Sequence, residues 1–441
     1  MADAKENAIP ANHSATPDAP WLTLIGLQED GLASLCPAAR HALAQAQHVF
    51  GAPRHLALAG VAAAPHGPGR AWPQPFGLAP LLALRGQAVV VLASGDPFWY
   101  GVGGSLAAHL SPQEWRCYAQ SPTFSLLAAR LGWRLEETQC LGLHADAFER
   151  LLPHLAPGQQ LAVLLRDGAA AANLAQWLSE RGWGESDFSV LERLGGPHER
   201  IRHWRTPQGH SLQGHAQQGN ARHAIAALAA DPAQAPAAVA VRARGGPALP
   251  TVPGRPEHWF AHDGQITKSP MRAITLAALA PQRGQRLWDL GAGSGSISVE
   301  WCLAGGRAVA VERAAERVAH ITRNAQRFGL RHALRVVHSP ALEALPALHQ
   351  QGAPDAVFVG GGFDGALFDW LRQHLSKGCR MVVNAVTLDT QALLLQLHAE
   401  HGGQLIKLDW AQAQPLGRMH AWQPARTLVQ WSWQAPGPAR P

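Results

Sequence analysis

The chain has 441 residues, too many for one typical domain, so two or three units are expected, each able to bury a core of its own. With 47% hydrophobic and 15% charged residues it reads as a soluble globular protein, and no uninterrupted apolar run is long enough to span a bilayer. The net charge of +6 rests almost wholly on arginine, only four of the basic residues being Lys, and it is dispersed. No run of five or more basic residues and no basic cluster interleaved with aromatics marks a nucleic-acid surface. Arg forks spread in this way also suit a polycarboxylate substrate.

Residues 1–20, MADAKENAIPANHSATPDAP, lack the apolar segment of a secretory signal and read as a disordered tail. WLTLIGLQEDGLASL at 21–35 reads as a buried strand over Leu22–Leu27, a turn at Asp30-Gly31 and a helix through about residue 48. QAVVVLASGDPFWYGVGGSLAAHL at 87–110 repeats the scheme, with a β-rich strand, a Gly95-Asp96-Pro97 turn and a small-residue helix. Pro97 keeps Asp96 out of helical geometry. Strand-to-helix steps recur in RCYAQSPTFSLLAARLGW and QLAVLLRDGAAAANLAQWLSERGW, so the first half is expected to be layered α/β. From 231 to 256 the chain reads DPAQAPAAVAVRARGGPALPTVPGRP, in which VAVRA closes the first domain and a Pro/Gly-rich linker follows. The expected domains are therefore 21–244 and 257–435, with a linker over 245–256. Cys36, Cys117, Cys140, Cys302 and Cys379 stand singly with no C-x-x-C spacing, which argues against zinc or a disulfide framework and fits a reducing cytoplasm. The 23 His residues show no ligand spacing, and no metal is expected.

The most informative stretch is LWDLGAGSGSISVE at 287–300, a hydrophobic strand, a glycine turn and a helix start in one window. Glycines there let a ligand approach the backbone, and the helix start offers unpaired N–H groups. A dinucleotide fingerprint would read G-x-G-x-x-G, but the third glycine comes one residue early and an acid, Asp289, precedes the first.

That pattern resembles motif I of class I S-adenosylmethionine methyltransferases. The resemblance implies a cofactor pocket of Gly291, Ala292, Gly293, Ser294 and Gly295, with Asp289 near the methionine amino group and Glu312, ending AVAVE, on the ribose hydroxyls. HDGQITKSPMRAITLAALAP at 262–281 resembles the Gly-x-x-Thr-Lys-x-x-x-Arg segment that precedes the motif in CbiT-like domains, matched by Thr267, Lys268 and Arg272. It implies that Thr267 closes over the cofactor and that Ala341 lines the pocket. Ser339 and Pro340 stand where many relatives place an acid, which leaves adenine to backbone groups. Lys268 and Arg272 read equally as contacts to substrate carboxylates or as structural ion-pair members.

In the first half, LTLIGLQEDGL, ASGDPFWYG, SPTFSLLAARLGW and RLGGPHERI resemble tetrapyrrole methylases of the CbiE-like kind, which implies cofactor contacts at Gly95, Asp96, Pro97 and Ser121. The opening loop departs from the usual glycine-rich character, having Gln28 and Glu29 after Gly26. Together the halves resemble the fused precorrin methyltransferases of cobalamin biosynthesis. That implies a tetrapyrrole-methylase-like α/β domain followed by a class I, Rossmann-like domain, each with one S-adenosylmethionine site. The implied reaction is methylation at carbons 5 and 15 of a precorrin, with loss of the carbon 12 acetate carboxyl, to precorrin-8X in a homo-oligomeric cytoplasmic enzyme. No Ser/His/Asp signature suggests a catalytic side chain, and positioning suffices for methyl transfer. The alternatives are an RNA or protein methyltransferase and a non-catalytic cofactor-binding regulator.

Overall fold

The computed structural model describes residues 20–63, 67–204 and 220–436, so the tail expected over 1–20 lies, Pro20 aside, outside the described residues. The chain divides into two compact units, one of Met1–Asp146 with Ala156–Pro247 and one of Ala147–Leu155 with Ala248–Pro441. Nothing in the composition marks the excursion Ala147–Leu155. It belongs to the second unit because Leu152 is buried in that unit's core with Phe260, Phe328 and Leu330.

The first unit opens with β1 (Leu22–Leu27), α1 (Pro37–Ala44), β2 (His48–Gly51), α2 (Pro53–Leu58), β3 (Gly69–Ala71), α3 (Ala79–Leu82), β4 (Val89–Ser94), α4 (Val102–Ala107) and β5 (Trp115–Tyr118). Its five strands form a parallel sheet in the order β3-β2-β4-β1-β5. The central strands β1 and β4 are near-continuous hydrophobic runs, as strands covered on both faces require. The helix expected through residue 48 is shorter. A 3-10 turn covers Gly31–Ser34, Cys36 is extended, and α1 ends at Ala44. Pro37 sets this break, since it has no N–H to donate and bars the preceding residue from helical geometry.

After α5 (Thr123–Leu131) come β6 (Thr138–Leu143), β7 (Gln160–Leu165), α6 (Ala169–Glu180), β8 (Asp187–Glu192), β9 (Arg200–Trp204), α7 (Asn220–Ala230) and β10 (Ala237–Arg242). They build a mixed sheet, β6-β7-β10-β8-β9, in which only β6 and β7 are parallel. The VAVRA segment, read as a closing strand, fills the middle of this sheet as β10.

The second unit runs α8 (Ser269–Leu279), β11 (Arg286–Leu290), α9 (Ser296–Leu303), β12 (Arg307–Glu312), α10 (Ala315–Arg327), β13 (Leu334–His338), α11 (Ala341–Gln350), β14 (Ala356–Val359), α12 (Gly365–His374) and β15 (Arg380–Ala385). It ends with α13 (Leu388–His401), β16 (Gln404–Leu408), β17 (Ala411–Leu416), β18 (Met419–Pro424) and β19 (Leu428–Gln434). Seven strands make one sheet, β13-β12-β11-β14-β15-β19-β16, while β17 and β18 pair only with each other. The first five of these seven are parallel, and β19 runs antiparallel between β15 and β16. The chain leaves β11 toward β12 and returns from β13 to β14, so β11 and β14 flank a reversal of strand order. At such a point the carboxyl ends of a parallel sheet open a crevice for a ligand. The fold is thus the two-unit α/β architecture expected. No helix among the described residues is long and apolar enough to cross a membrane.

Candidate functional sites

The glycine motif lies at that reversal. Asp289, the fourth residue of β11, sits between Ala310 of β12 and Phe358 of β14 and is fully buried. Its Oδ2 accepts from Ser298 Oγ at 2.6 Å and Ser298 N at 3.2 Å, while Oδ1 has no partner. Burial, with a smaller push from the Glu312 charge and against the Ser298 hydrogen bonds, raises the Asp289 carboxyl to about 7. Gly291 and Gly293 have φ of 65° and 59°, the left-handed region that favours glycine. A Cβ on Gly291 would meet the Gly361 carbonyl oxygen at 2.4 Å, whereas a Cβ on Gly293 would point into open space. Ala292 N donates to Val311 O at 3.1 Å, and Ser294 O accepts from the buried Asn324 at 2.9 Å, which pins the turn between β12 and α10. Gly295, its N–H on Ala292 O at 2.8 Å, immediately precedes α9.

Glu312, the last residue of β12, is 5% exposed. Its two carboxylate oxygens accept from Gly293 N and Ala314 N, each at 2.9 Å, so the acid is tied to the glycine turn it was expected to face. Its carbonyl accepts from Ser339 N at 3.1 Å, which brings Ser339, Pro340 and Ala341, at the start of α11, to the same sheet end. The structure therefore gathers Asp289, Gly291 to Gly295, Glu312 and the Ser339–Ala341 turn at one sheet end.

The leading segment behaves differently. Lys268 is exposed and Thr267 half-buried. Arg272 is fully buried: Nε donates to Glu300 Oε1 at 2.8 Å, the other two nitrogens donate to the Thr267 and Arg255 carbonyls, and the guanidinium lies 4.7 Å from the Phe260 ring centre. Of its two readings, the ion pair is the one the geometry supports, since the side chain is wholly buried and each of its nitrogens is already engaged inside the protein. Glu300, on α9 directly behind the glycine motif, also accepts from Gly254 N at 2.7 Å and Arg255 N at 3.0 Å. This buried hub fastens the segment around 254–272 to the motif helix. It was not visible in the sequence, where its members stand 17 to 46 residues apart.

In the first unit, the carboxyl ends of β1, β2 and β4 border a cavity of about 300 Å³. Gly95, Asp96 and Ser121 line it; Pro97 does not, being buried with its carbonyl on Gly103 N at 2.8 Å. The Gly95 loop packs directly on β1, and a Cβ on Gly26 would fall 1.8 Å from Gly95 O. Asp96 Oδ1 accepts from Phe98 N at 2.8 Å, and Gln28, from the atypical opening loop, donates to Ser121 O at 3.2 Å.

The cavity also carries a polar cluster of Glu29, Arg54, His55 and Ser94, to none of which the sequence assigned a role. Arg54 is ion-paired with Glu29 through Nη1, while its Nη2 donates to Ser94 Oγ at 2.9 Å and lies 3.0 Å from His55 Nε2. His55 Nε2 is also 2.9 Å from Ser94 Oγ. Burial, reinforced by the Arg54 charge, pushes the His55 imidazole down to about 4. The available signal was positional, since each residue stands at or shortly after the carboxyl end of a parallel strand.

Two family models match the chain, tetrapyrrole (corrin/porphyrin) methylases over residues 22–208 and a precorrin methyltransferase domain over 258–435. A precorrin-6Y C(5,15)-methyltransferase (decarboxylating) of Sinorhizobium sp is 42% identical over 419 residues, covering 94% of this chain and 96% of that one. The chain belongs to the precorrin-6Y C(5,15)-methyltransferase (decarboxylating) family. Two single-activity proteins of Salmonella typhimurium strain LT2 are also similar: a cobalt-precorrin-6B C(15)-methyltransferase (decarboxylating), 31% identical over 36% of this chain and 83% of its own, and a cobalt-precorrin-7 C(5)-methyltransferase, 30% identical over 42% and 89%. As a member of the precorrin-6Y C(5,15)-methyltransferase family the chain is an S-adenosylmethionine-dependent, decarboxylating methyltransferase of cobalamin biosynthesis. The crevice of the second unit suits that cofactor: an unpartnered buried carboxylate oxygen on Asp289 fits a cationic amino group, and the space beside Gly293 lets a ligand lie against the turn.

Proposed function

We propose that the protein methylates carbons 5 and 15 of precorrin-6Y (6B) and removes the carbon 12 acetate carboxyl, yielding precorrin-8X, with one cofactor site in each unit. The observation that carries this reading is the 42% identity to a precorrin-6Y C(5,15)-methyltransferase (decarboxylating) over 94% of this chain and 96% of that one. The first unit acts at carbon 5 and the second at carbon 15 with decarboxylation. Two single-activity relatives, each matching a share of the chain about one unit long, support that division.

When bound, S-adenosylmethionine supplies a sulfonium methyl group to a nucleophilic carbon. In the second unit Asp289 Oδ1 takes the amino group, Glu312 the ribose hydroxyls, and the backbone at Ser339–Ala341 the adenine, with Thr267 closing over them. Gly95, Asp96 and Ser121 line the corresponding space in the first unit. Holding donor and acceptor as a near-attack pair removes on the order of 7–11 kcal/mol of barrier, so positioning is the main task of these residues. Lys268, exposed next to Thr267 in the chain, is the cation offered to substrate carboxylates. The protein works in the cytoplasm as a homo-oligomer without nucleic acid; the β17–β18 hairpin, which exposes Leu416, Met419 and Trp422, supports self-association.

Incubating the full-length protein with methyl-labelled cofactor and either reduced precorrin-6 or total RNA tests the reading. The expected product has two added methyl groups and has lost carbon dioxide. Label in RNA, or cofactor binding with no methylated tetrapyrrole, overturns it.

A further inference from the structure

The cavity of the first unit holds a cluster that no assignment above uses. Arg54 can only donate hydrogen bonds, and its Nη2 lies 3.0 Å from His55 Nε2, so that nitrogen faces the guanidinium with its lone pair. Ser94 Oγ accepts from Arg54 at 2.9 Å and is left to donate its own proton to the same Nε2 at 2.9 Å. The neutral ring therefore carries its hydrogen on Nδ1. Ser94 is the last residue of β4 and stands immediately before Gly95, with its side chain on the cavity.

We propose that the Ser94–His55 pair accepts the proton that leaves carbon 5 when that carbon is methylated. The inference rests on the reading that the first unit acts at carbon 5. Replacing hydrogen by methyl at an unsaturated bridging carbon releases one proton per turnover. The carbon–methyl bond forms with a π pair of the tetrapyrrole while the sulfur–methyl bond breaks, leaving a cationic adduct. The C5–H bond then breaks, its electrons restore the conjugated system, and the proton passes through Ser94 Oγ to His55 Nε2. Such an adduct is strongly acidic, so a weak base serves, provided that it is neutral beforehand. The depressed His55 imidazole meets that condition at neutral pH. The groups facing the pair are Arg54 and Glu29, with Arg193 acting on Arg54, and Asp96 and His144 on the cavity wall. The Arg54 charge keeps the imidazolium short-lived, so the proton is handed on and the base regenerated.

The test uses the full-length protein with a substrate already methylated at carbon 15 and decarboxylated, carrying either protium or deuterium at carbon 5. His55→Ala should lower carbon 5 methylation about a hundredfold or more, leave S-adenosylhomocysteine affinity unchanged, show an isotope effect absent from the parent, and recover with added imidazole. His55→Gln, which keeps the side chain's polarity, should be slow in the same way. Independently of turnover, nitrogen NMR of the histidine-labelled protein should show an unprotonated Nε2 and an Nδ1–H at pH 7. A protonated Nε2, an unchanged rate in both variants, or a loss that tracks weakened cofactor binding without imidazole rescue overturns the proposal. Gly293→Val separates this from the underlying reading: if it abolishes carbon 5 methylation while the His55 variants do not, the division between units fails as well. If Gly293→Val stays active and the His55 variants do too, only the proton acceptor is lost.

Discussion

Arg272 and Glu300 meet 2.8 Å apart with both side chains wholly out of solvent, and every guanidinium nitrogen of Arg272 is already engaged inside the protein. Breaking such a pair by removing one partner typically costs about 3–5 kcal/mol, and after loss of Arg272 the buried Glu300 charge would keep only the longer 3.5 Å pair with Arg255. Arg272→Met should therefore lower the unfolding temperature of the second unit by roughly 6–20 °C. Calorimetry of the full chain follows it, and Glu300→Leu should cost at least as much, because it also strands the Gly254 and Arg255 N–H groups and the buried Arg255 guanidinium. A wild-type melting temperature with a raised KM for the precorrin would return Arg272 to the substrate.

Glu312 does two things at once, accepting from the Gly293 and Ala314 backbone and facing the crevice. With the proposed ribose contact, replacing it by Ala would remove charge-assisted hydrogen bonds to the cofactor, and we expect second-unit cofactor affinity to fall by about 1.5–3 kcal/mol. Titration calorimetry of the full chain with S-adenosylhomocysteine should then show one binding event weakened and the other unchanged. Equal weakening of both, or of neither, would detach Glu312 from the site.

The raised Asp289 carboxyl predicts a pH dependence with a definite sign. Unfolded, the group titrates near 3.8; folded and ligand-free, near 7. Between these values the folded state holds more protons, so stability falls as pH rises through the window and levels off above about 7. A cationic amino group requires the carboxylate, so cofactor binding below pH 7 should expel a proton. Affinity should climb toward pH 7 and then flatten. Calorimetry in buffers of different ionisation enthalpy measures that proton directly, and Asp289→Asn should abolish it. Proton release that survives in Asp289→Asn would place its origin elsewhere.

What was legible in the chain follows from how each site is assembled. Asp289, the glycines and Ser298 fall within ten residues, because a strand, a turn and a helix start bring them together locally, and Glu312 ends the next strand in register. The Arg255–Arg272–Glu300 hub and the Glu29–Arg54–His55–Ser94 cluster are joined only by tertiary packing, so no spacing announces them. The helix expected through residue 48 is interrupted at Cys36 for a local reason, Pro37, which bars that residue from helical geometry, and it stops at Ala44 short of His48, which opens β2.

The division of chemistry can be read from a single substitution. At Gly293 the backbone has φ of 59° and the Cβ direction is open, so Gly293→Val places a branched side chain where a ligand would lie. The strain of a non-glycine residue in that region is on the order of 1–3 kcal/mol, small enough for the unit to remain folded. Gly95 is a poorer probe, since its Cβ would crowd Pro122 Cα and Ser121 O at 3.0 Å and disturb the loop itself. Supplied with precorrin-6Y, Gly293→Val should yield at most a singly methylated tetrapyrrole that keeps its carboxyl group. Supplied with substrate already processed at carbon 15, it should still methylate carbon 5. Mass spectrometry separates the outcomes, because a methyl gain and a carbon dioxide loss differ in mass. Doubly methylated, decarboxylated product from the folded variant would remove carbon 15 chemistry from the second unit.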